Sequence, residues 1–227
     1  MDPDRVVDLL LEVATLKRMP RAGWQTRGVP HVESVADHSF GATFVALALA
    51  DALRSTASAV LAEGEVGAQL DREKLLIMAV LHDLAEVRLT DLPASAVCLL
   101  PEGLKSRAET AAIDDLLSPL PGAARFVALW EEFERGTSPE GRLVRDADKL
   151  EMMVQCLRYE EAGSRGLDEF WQAMDHHRWH YALSARLYER LRARRQIRDL
   201  AGASCAPGAG LSDRLRDRRL GSLTHDV

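Results

Sequence analysis

One segment restricts the fold more than any other: an apolar run that ends in three ionisable side chains. The sequence LLIMAVLHDLAE covers residues 75–86. Its apolar residues occupy every face of the helix that they predict, so we expect this helix to be buried on all sides. At its end it carries His82, Asp83 and Glu86, with His82 and Glu86 one turn apart on the same face.

Burial of these three groups would create a need for positive charge. An ionised carboxylate in the interior without a partner costs several kcal/mol. A divalent cation would supply the missing charge, and imidazole beside carboxylate suits such an ion. A His-Asp pair also occurs by chance as a helix cap or at a surface. The segment alone therefore leaves a metal site and a structural pair both open.

A second histidine has the surroundings of a core residue. His38 shares one stripe of a predicted helix with Ala42, Val45 and Leu49, and therefore faces the interior. A lone histidine on such a stripe is more often a satisfied core residue than a ligand. A buried neutral imidazole is nevertheless what a metal ion needs, so both interpretations stand.

Two aspartates, Asp146 and Asp148, lie inside a long predicted helix in the segment VRDADKLEMM. The apolar stripe of that helix passes between them, so helical periodicity does not decide which one faces the interior. Whichever of the two is buried needs a partner for its charge.

Helical periodicity continues through the rest of the chain and strand-like alternation is nearly absent, which predicts an all-α fold. We expect one helical domain over residues 1–200, then a flexible, disordered tail over residues 201–227 that is rich in Gly, Ala, Ser, Pro and Arg. Loops are expected at residues 19–32 and 55–69. The predicted helices span residues 3–17, 33–53, 71–86, 102–117, 122–134, 139–162, 168–175 and 178–198.

The charge distribution restricts the partners of the chain. The formal charge is −6, yet ten arginines and four acidic residues lie between Arg186 and Arg219, so the remaining body is strongly acidic. This disfavours a nucleic-acid partner, because duplex binding needs a clustered basic surface. The arginine-rich C-terminus lacks interleaved aromatic residues, and we interpret it as a solvated helix and tail rather than a nucleic-acid arm.

Cysteine usage and hydropathy predict a cytoplasmic protein without a membrane partner. Cys98, Cys156 and Cys205 form no CxxC pair, which fits a reducing compartment. The N-terminus carries acidic residues where a signal peptide has basic ones. The longest strongly apolar stretch, residues 75–81, is far shorter than the ~20 residues that span a bilayer.

Five segments, taken together and in order, carry a resemblance to a known family: LKRMPRAGW, ESVADHS, LHDLAEVRLTDLP, LWEEFE and VRDADKLEMMVQCLRYEE. They resemble the HD-domain metal-dependent phosphohydrolases, which are named after their His-Asp pair. Within that superfamily they are most similar to the branch of HD domain-containing protein 2 and the bacterial HD-domain 5′-deoxynucleotidases. The resemblance covers about residues 9–175 and implies a single helical HD-domain bundle.

This resemblance implies a set of site residues, which we state as expectations. The metal ligands that it implies are His38, His82, Asp83 and Asp148, since Asp148 rather than Asp146 aligns with the family's aspartate. The catalytic residues that it implies are Glu86 and Asp91. A second cation could bind to Glu86, Asp91 and the backbone carbonyl of Leu92. The substrate-binding residues are expected to be Trp24, Arg21, Arg27 and Asp91.

The chain departs from the bacterial members at two positions that bind phosphate. Gly23 stands where those enzymes have an arginine directly before the tryptophan. Val97 stands where they have a lysine shortly after the TDLP turn. Arg21 or Arg27 would have to take over the phosphate, and the sequence does not choose between them.

The implied reaction is metal-dependent hydrolysis of a 2′-deoxynucleoside 5′-monophosphate to the deoxynucleoside and phosphate. The implied cofactor is a divalent cation (Co²⁺, Mn²⁺, Mg²⁺ or Zn²⁺), and relatives suggest a homodimer. One alternative is an HD phosphohydrolase that acts on a triphosphate, cyclic or signalling nucleotide, which the acidic body disfavours. Another is a degenerate, non-catalytic HD scaffold, which the complete set of ligand residues disfavours.

Overall fold

The computed structural model describes residues 1–55 and 70–204, and no β-strand occurs within these ranges. The all-α prediction is confirmed. The loop expected at residues 55–69 lies almost wholly outside the described residues, as does the predicted tail beyond Ser204. The helices are α1 (Pro3–Val13), a 3₁₀ helix (Ala14–Arg18), α2 (Ala22–Gln25), α3 (Val35–Ser55), α4 (Arg72–Leu81), α5 (Glu86–Leu89), α6 (Ala94–Val97), α7 (Leu104–Leu117), α8 (Ala123–Arg135), α9 (Pro139–Glu161), α10 (Asp168–Asp175) and α11 (Ala182–Ser204).

Short capping motifs determine where two long helices of the bundle, α3 and α9, begin. The hydroxyl oxygen of Ser34 accepts from the N–H of Asp37 at 3.1 Å, and the Asp37 carboxylate accepts from the N–H of Ser34 at 2.9 Å. At the start of α9, Ser138 accepts from the N–H of Gly141 at 3.0 Å, next to a proline at the first helical position. These caps set the starting points of α3 and α9.

Three helices form the centre of the bundle. Helix α3 packs against both α4 and α9, and α4 also packs against α9. Burial of their apolar faces drives this association. One buried cluster includes Leu49, Met78, Leu150 and Trp171. Helices α7 and α8 contribute to a second buried cluster, which includes Ile113 and Trp130.

The helix predicted over residues 71–86 ends five residues early, at Leu81. Residues 82–85 form tight turns, for example from the N–H of Glu86 to the carbonyl of Asp83 at 3.1 Å, before α5 begins. The side chain of His82 explains the break. Its Nδ1 donates to the carbonyl of Ala79 at 2.8 Å, the carbonyl that an uninterrupted helix would offer to the N–H of Asp83.

The expectation that this segment is buried on all sides is wrong. Val80 is 60% exposed, although its neighbours in sequence are apolar. Helix α4 therefore packs by one broad face and leaves a surface strip. Its buried residues are Leu75, Met78, Ala79 and Leu81.

Helices α2 and α11 also differ from the sequence prediction. Short helix α2 forms within the segment predicted as a loop. Helix α11 begins at Ala182, later than predicted, because the Asp146 carboxylate accepts from the N–H groups of His180 and Tyr181, both at 3.0 Å, just before it. Helix α11 continues to Ser204, beyond its predicted end.

The chain divides into two compact units, residues 1–191 and 192–227. The first contains helices α1 to α10 and the start of α11. Among the described residues, the second consists of the later turns of α11, where Arg198 and Asp199 form an ion pair at 2.5 Å. The domain boundary that we predict at residue 200 stays a prediction. No helix in the described ranges is long and apolar enough to cross a membrane.

Candidate metal centre

Two histidines from separate parts of the sequence meet in the interior. His38 lies in the first turn of α3, His82 directly follows α4, and their Nε2 atoms are 3.4 Å apart. Their side chains are 0% and 1% exposed. Because two ring nitrogens that face each other would otherwise bring lone pairs together, the pair needs a proton or a cation between them.

The other nitrogen of each ring is already engaged. Nδ1 of His82 donates to the carbonyl of Ala79, and Nδ1 of His38 donates to Oε2 of Glu151 at 2.5 Å. A carbonyl or an ionised carboxylate can only accept, so the Nδ1 atoms carry protons. In the neutral rings both Nε2 atoms then have the lone pair that a metal ion requires.

Two carboxylates complete a set of four donors around these nitrogens. Oδ2 of Asp83 lies 3.3 Å from Nε2 of His82 and 3.5 Å from Nε2 of His38, and Oδ1 of Asp148 lies 3.2 Å from Nε2 of His38. The ligand atoms of His38, His82 and Asp148 all lie within 4.8 Å of one another. Imidazole nitrogens with carboxylate oxygens fit a borderline divalent cation.

The structure places the two candidate aspartates of α9 in different surroundings. Asp148 lies beside His38, as described above. Asp146 is fully buried elsewhere, where its carboxylate caps the start of α11. Asp146 is fully buried and Asp148 is half-buried, and Asp148 is the one that contacts His38. That Asp148 rather than Asp146 is a metal ligand stays a prediction.

A second group of carboxylates surrounds Arg21. Its Nη1 lies 3.2 Å from Oδ2 of Asp83, 4.0 Å from Oε1 of Glu86 and 3.9 Å from Oδ1 of Asp91. Oε2 of Glu86 is buried without a hydrogen-bond partner. The guanidinium thus supplies positive charge to the carboxylates that we expect to bind a second cation.

Asp91 is held by a backbone hydrogen bond. Its Oδ2 accepts from the N–H of Ala22 at 2.6 Å, which ties it to the segment that carries Arg21. The preceding Thr90 has φ 63°, a strained value for a β-branched residue. Leu92 is half-buried in the segment that precedes α6. Among the described residues, the clusters of three or more histidine, cysteine or acidic side chains with ligand atoms within 4.8 Å of one another do not include Glu86 or Asp91.

The HD domain family model matches residues 13–183 of the chain. The chain belongs to the HD-domain family. Among curated relatives, this HD-domain protein is 34% identical to 5′-deoxynucleotidase HDDC2 from Danio rerio, with 74% of this chain and 77% of that protein covered. It is 27% identical to 5′-deoxynucleotidase YGK1 from Saccharomyces cerevisiae, with 76% of each covered. A solved structure of a conserved hypothetical protein from Pyrococcus furiosus aligns with TM-score 0.67 and 39% identity, covering 82% of this chain and 99% of that one.

The electrostatics of the HD-domain site favour positive charge. Burial alone would lower the pKa of His38, but hydrogen bonds with Asp148 and Glu151 raise it to about 10. Burial opposes charge on His82 too, yet Asp83 raises its pKa. Although burial would raise the pKa of Asp83 and that of Asp148, nearby basic groups hold both below the ordinary range. The four donors therefore stabilise a positive charge among them.

The carboxylates of the HD-domain site are more exposed to solvent than its histidines. The side chains of Asp83, Glu86 and Asp148 are 14–18% exposed, whereas both imidazoles are almost fully covered. The histidines thus form the floor and the carboxylates the open face. A small ligand from solvent would approach on the side of the carboxylates.

The predicted pocket tryptophan is a buried part of this region. Trp24 is 2% exposed, and its ring lies 4.3 Å from that of Phe170 and 5.4 Å from that of Tyr159, measured between centroids. Its indole N–H donates to Oε1 of Glu33 at 2.8 Å. The hydrogen bond and the two ring contacts therefore hold the indole in place.

The two candidate phosphate arginines lie in different places. Arg21 lies among the carboxylates of the site. Arg27 binds both carboxylate oxygens of Glu169 at the surface, where its side chain is 33% exposed. An exposed ion pair of this kind contributes little energy and directs Arg27 toward Glu169.

Sequence reasoning missed two charged groups of the site, both on α9. Nζ of Lys149 lies 2.9 Å from Oδ2 of Asp148. Glu151 contacts Nδ1 of His38, the ring nitrogen that does not face His82. The signal for Glu151 was available, because Asp148 and Glu151 are three residues apart on a helix and share a face.

Proposed function

We propose that this HD-domain protein hydrolyses 2′-deoxynucleoside 5′-monophosphates to the deoxynucleoside and inorganic phosphate. In this proposal His38, His82, Asp83 and Asp148 hold a divalent cation, which is Co²⁺, Mn²⁺, Mg²⁺ or Zn²⁺. The observation that carries the proposal is the convergence of two lone-pair nitrogens and two carboxylates at a site that is open on one side. Relatives that bear the name 5′-deoxynucleotidase support the choice of reaction.

The bound cation would polarise a phosphoryl oxygen and lower the pKa of a bound water molecule. The protein has to hold that charge and admit the substrate. The buried histidines provide a rigid floor, since each Nδ1 is fixed by a hydrogen bond. The partly exposed carboxylates of Asp83 and Asp148 leave one side for water and phosphate.

We assign Glu86 and Asp91 to the reacting phosphate. Water attacks phosphorus, a new P–O bond forms, and the P–O5′ bond breaks, with the 5′ oxygen leaving as a hydroxyl group. Glu86 is the group proposed to move the proton, because its carboxyl lies near the same Arg21 guanidinium as Asp83 and has one oxygen without a partner. Asp91 holds the Arg21 segment through the N–H of Ala22.

Arg21 is the proposed phosphate-binding arginine, and Trp24 forms the wall of the nucleotide pocket. The position of Arg21 among three carboxylates supports this choice, while the ion pair with Glu169 disfavours Arg27. A second divalent cation at Glu86, Asp91 and Leu92 is the competing arrangement. It requires Arg21 to move away, because the two positive charges would repel each other.

We also propose that the protein is a cytoplasmic homodimer. Along α3, the side chains of Phe40, Phe44 and Leu47 follow helical spacing and remain exposed in the single chain. A contiguous apolar strip of this kind is typical of an interface. Light scattering of the purified protein tests this proposal, with twice the mass of 25.1 kDa expected.

A phosphate-release screen tests the reaction. The screen compares all ribo- and deoxyribonucleoside 5′-monophosphates, each with Co²⁺, Mn²⁺, Mg²⁺ and Zn²⁺, and includes triphosphates and cyclic nucleotides. We expect phosphate from the deoxyribonucleoside monophosphates and little from the others. Release of pyrophosphate or triphosphate, opening of cyclic nucleotides, or no turnover with any metal would overturn the proposal.

A further inference from the structure

We propose that Glu151 is a positioning residue that fixes the His38 ring for cation binding, and that Gly41 provides the space for its carboxylate. The inference rests on the proposed cation site and does not depend on which nucleotide is hydrolysed. Glu151 itself acts through His38 and does not contact the cation.

The first argument is the contact between the two side chains. Oε2 of Glu151 accepts from Nδ1 of His38, and both residues are buried, at 8% and 0% exposure. In the interior neither group can exchange this partner for water. The hydrogen bond keeps the proton on Nδ1 and directs the lone pair of Nε2 toward Asp83, His82 and Asp148.

Gly41 lies in the interior of α3. Glycine weakens a helix relative to alanine, so a glycine here needs a reason. A Cβ atom added to Gly41 would lie 2.6 Å from Oε1 and 2.8 Å from Cγ of Glu151. The atoms that a methyl group meets first thus belong to the side chain of Glu151, not to the backbone. Alanine at this position would displace the carboxylate.

Glu33 is a second carboxylate near His38 and Glu151. Glu33, His38 and Glu151 each offer one atom within 4.8 Å of the others, which is also a geometry that could hold an ion. In this protein Glu33 accepts from the indole N–H of Trp24, and Glu151 accepts from Nδ1 of His38. Both carboxylates are therefore engaged by N–H donors, which favours support of the histidine over a second ion.

The test is the affinity of the metal-free, full-length protein for Co²⁺, measured by competition with a chromophoric chelator. We expect Glu151→Gln to weaken binding by about 10- to 100-fold, the usual effect of losing the carboxylate behind a ligating histidine. Gly41→Ala should weaken binding in the same direction, because the added methyl group displaces the Glu151 carboxylate. The double variant should bind no more weakly than Glu151→Gln alone, because both changes act on the same contact between Glu151 and His38.

Glu140→Gln is the matched control, because Glu140 is another buried glutamate of α9 and binds the N–H of Asp71 at 2.9 Å. It should change stability and leave Co²⁺ affinity unaltered. The visible absorption of bound Co²⁺ should shift in Glu151→Gln and not in Glu140→Gln, a readout that a purely structural role would not move.

Wild-type affinity in both Glu151→Gln and Gly41→Ala would overturn the inference while leaving the proposed function intact. Tight Co²⁺ binding by the wild type without phosphate release would reject the proposed function and still test Glu151. A wild-type protein that binds no divalent cation would reject both.

Discussion

Nε2 of His38 lies 3.4 Å from Nε2 of His82, although the two residues are 44 positions apart in the sequence. A local hydrogen-bonding motif positions each ring. The capping box of Ser34 and Asp37 starts α3, and the contact of His82 with the Ala79 carbonyl ends the regular helix of α4. The proposed metal centre therefore depends on where two helices start and stop.

Replacing one ring should remove the cation and the activity together. For His82→Ala we expect a loss of bound Co²⁺ and a fall in phosphate release on the order of 10²- to 10³-fold, because the charge that stabilises the reaction is lost. Elemental analysis of dialysed protein and a phosphate assay measure the two effects. His176→Ala, an exposed histidine outside the cluster, should retain both. Full metal content in His82→Ala would contradict the assignment.

The two aspartates of α9 should respond in opposite ways. Asp148→Asn should lose Co²⁺ and activity with little change in stability. Asp146→Ala should keep its metal and lose about 0.5–2 kcal/mol of unfolding free energy, since it removes the acceptor that caps α11. Urea unfolding and metal analysis of both variants check this. Loss of metal in Asp146→Ala with a normal Asp148→Asn would reverse the assignment.

The two arginines provide a matched pair for the phosphate. Arg21→Ala should lower kcat/KM on the order of 10²-fold, because a cation next to the reacting group is lost. Arg27→Ala should stay near the wild type, since it breaks only a surface ion pair with Glu169. Steady-state kinetics on the best deoxynucleotide from the screen compare the two. Equal effects, or a larger effect of Arg27→Ala, would speak against Arg21.

The carboxyl of Glu33 should make stability depend on pH. Burial, followed by the nearby charge of Glu151, raises its pKa from 4.5 to about 7. Between these values the folded protein holds a proton that the unfolded chain has released, so the contribution of Glu33 to the unfolding free energy falls as pH rises. It is fully present below pH 4.5 and lost above pH 7.

Glu33→Gln tests this dependence, because glutamine keeps an oxygen for the Trp24 indole and carries no charge. The unfolding free energy of the metal-free variant minus that of the metal-free wild type should increase as the pH rises from 4.5 to about 7. Above pH 7 this difference should stay constant. Denaturant unfolding of both proteins across the range measures the difference. Parallel stability curves would show that Glu33 titrates normally.

Sequence patterns predicted the features that local chemistry controls. The helical class, the burial of His38 and the start of a helix at residue 139 all follow from periodicity and residue type, and the structure agrees. The early end of α4 was not predictable in this way. It depends on one rotamer of His82, which helical periodicity does not describe.

Other parts of the site depend on contacts between distant segments. The choice between Asp146 and Asp148 follows from the packing of α9 against α3 and the start of α11, and periodicity placed the two aspartates symmetrically. The different positions of Arg21 and Arg27 depend on Asp83 and Glu169, which lie 62 and 142 residues away. Such pairings are set by tertiary structure and have no local signal.

The most direct test of the account is a crystal structure with Co²⁺, with anomalous scattering recorded at the cobalt edge. We expect a peak bound by Nε2 of His38 and Nε2 of His82, at about 2.0–2.1 Å from each as is usual for imidazole ligands, with oxygens of Asp83 and Asp148 beside it. A peak at Nδ1 of His38 between Glu33 and Glu151, or no peak near either histidine, would contradict it.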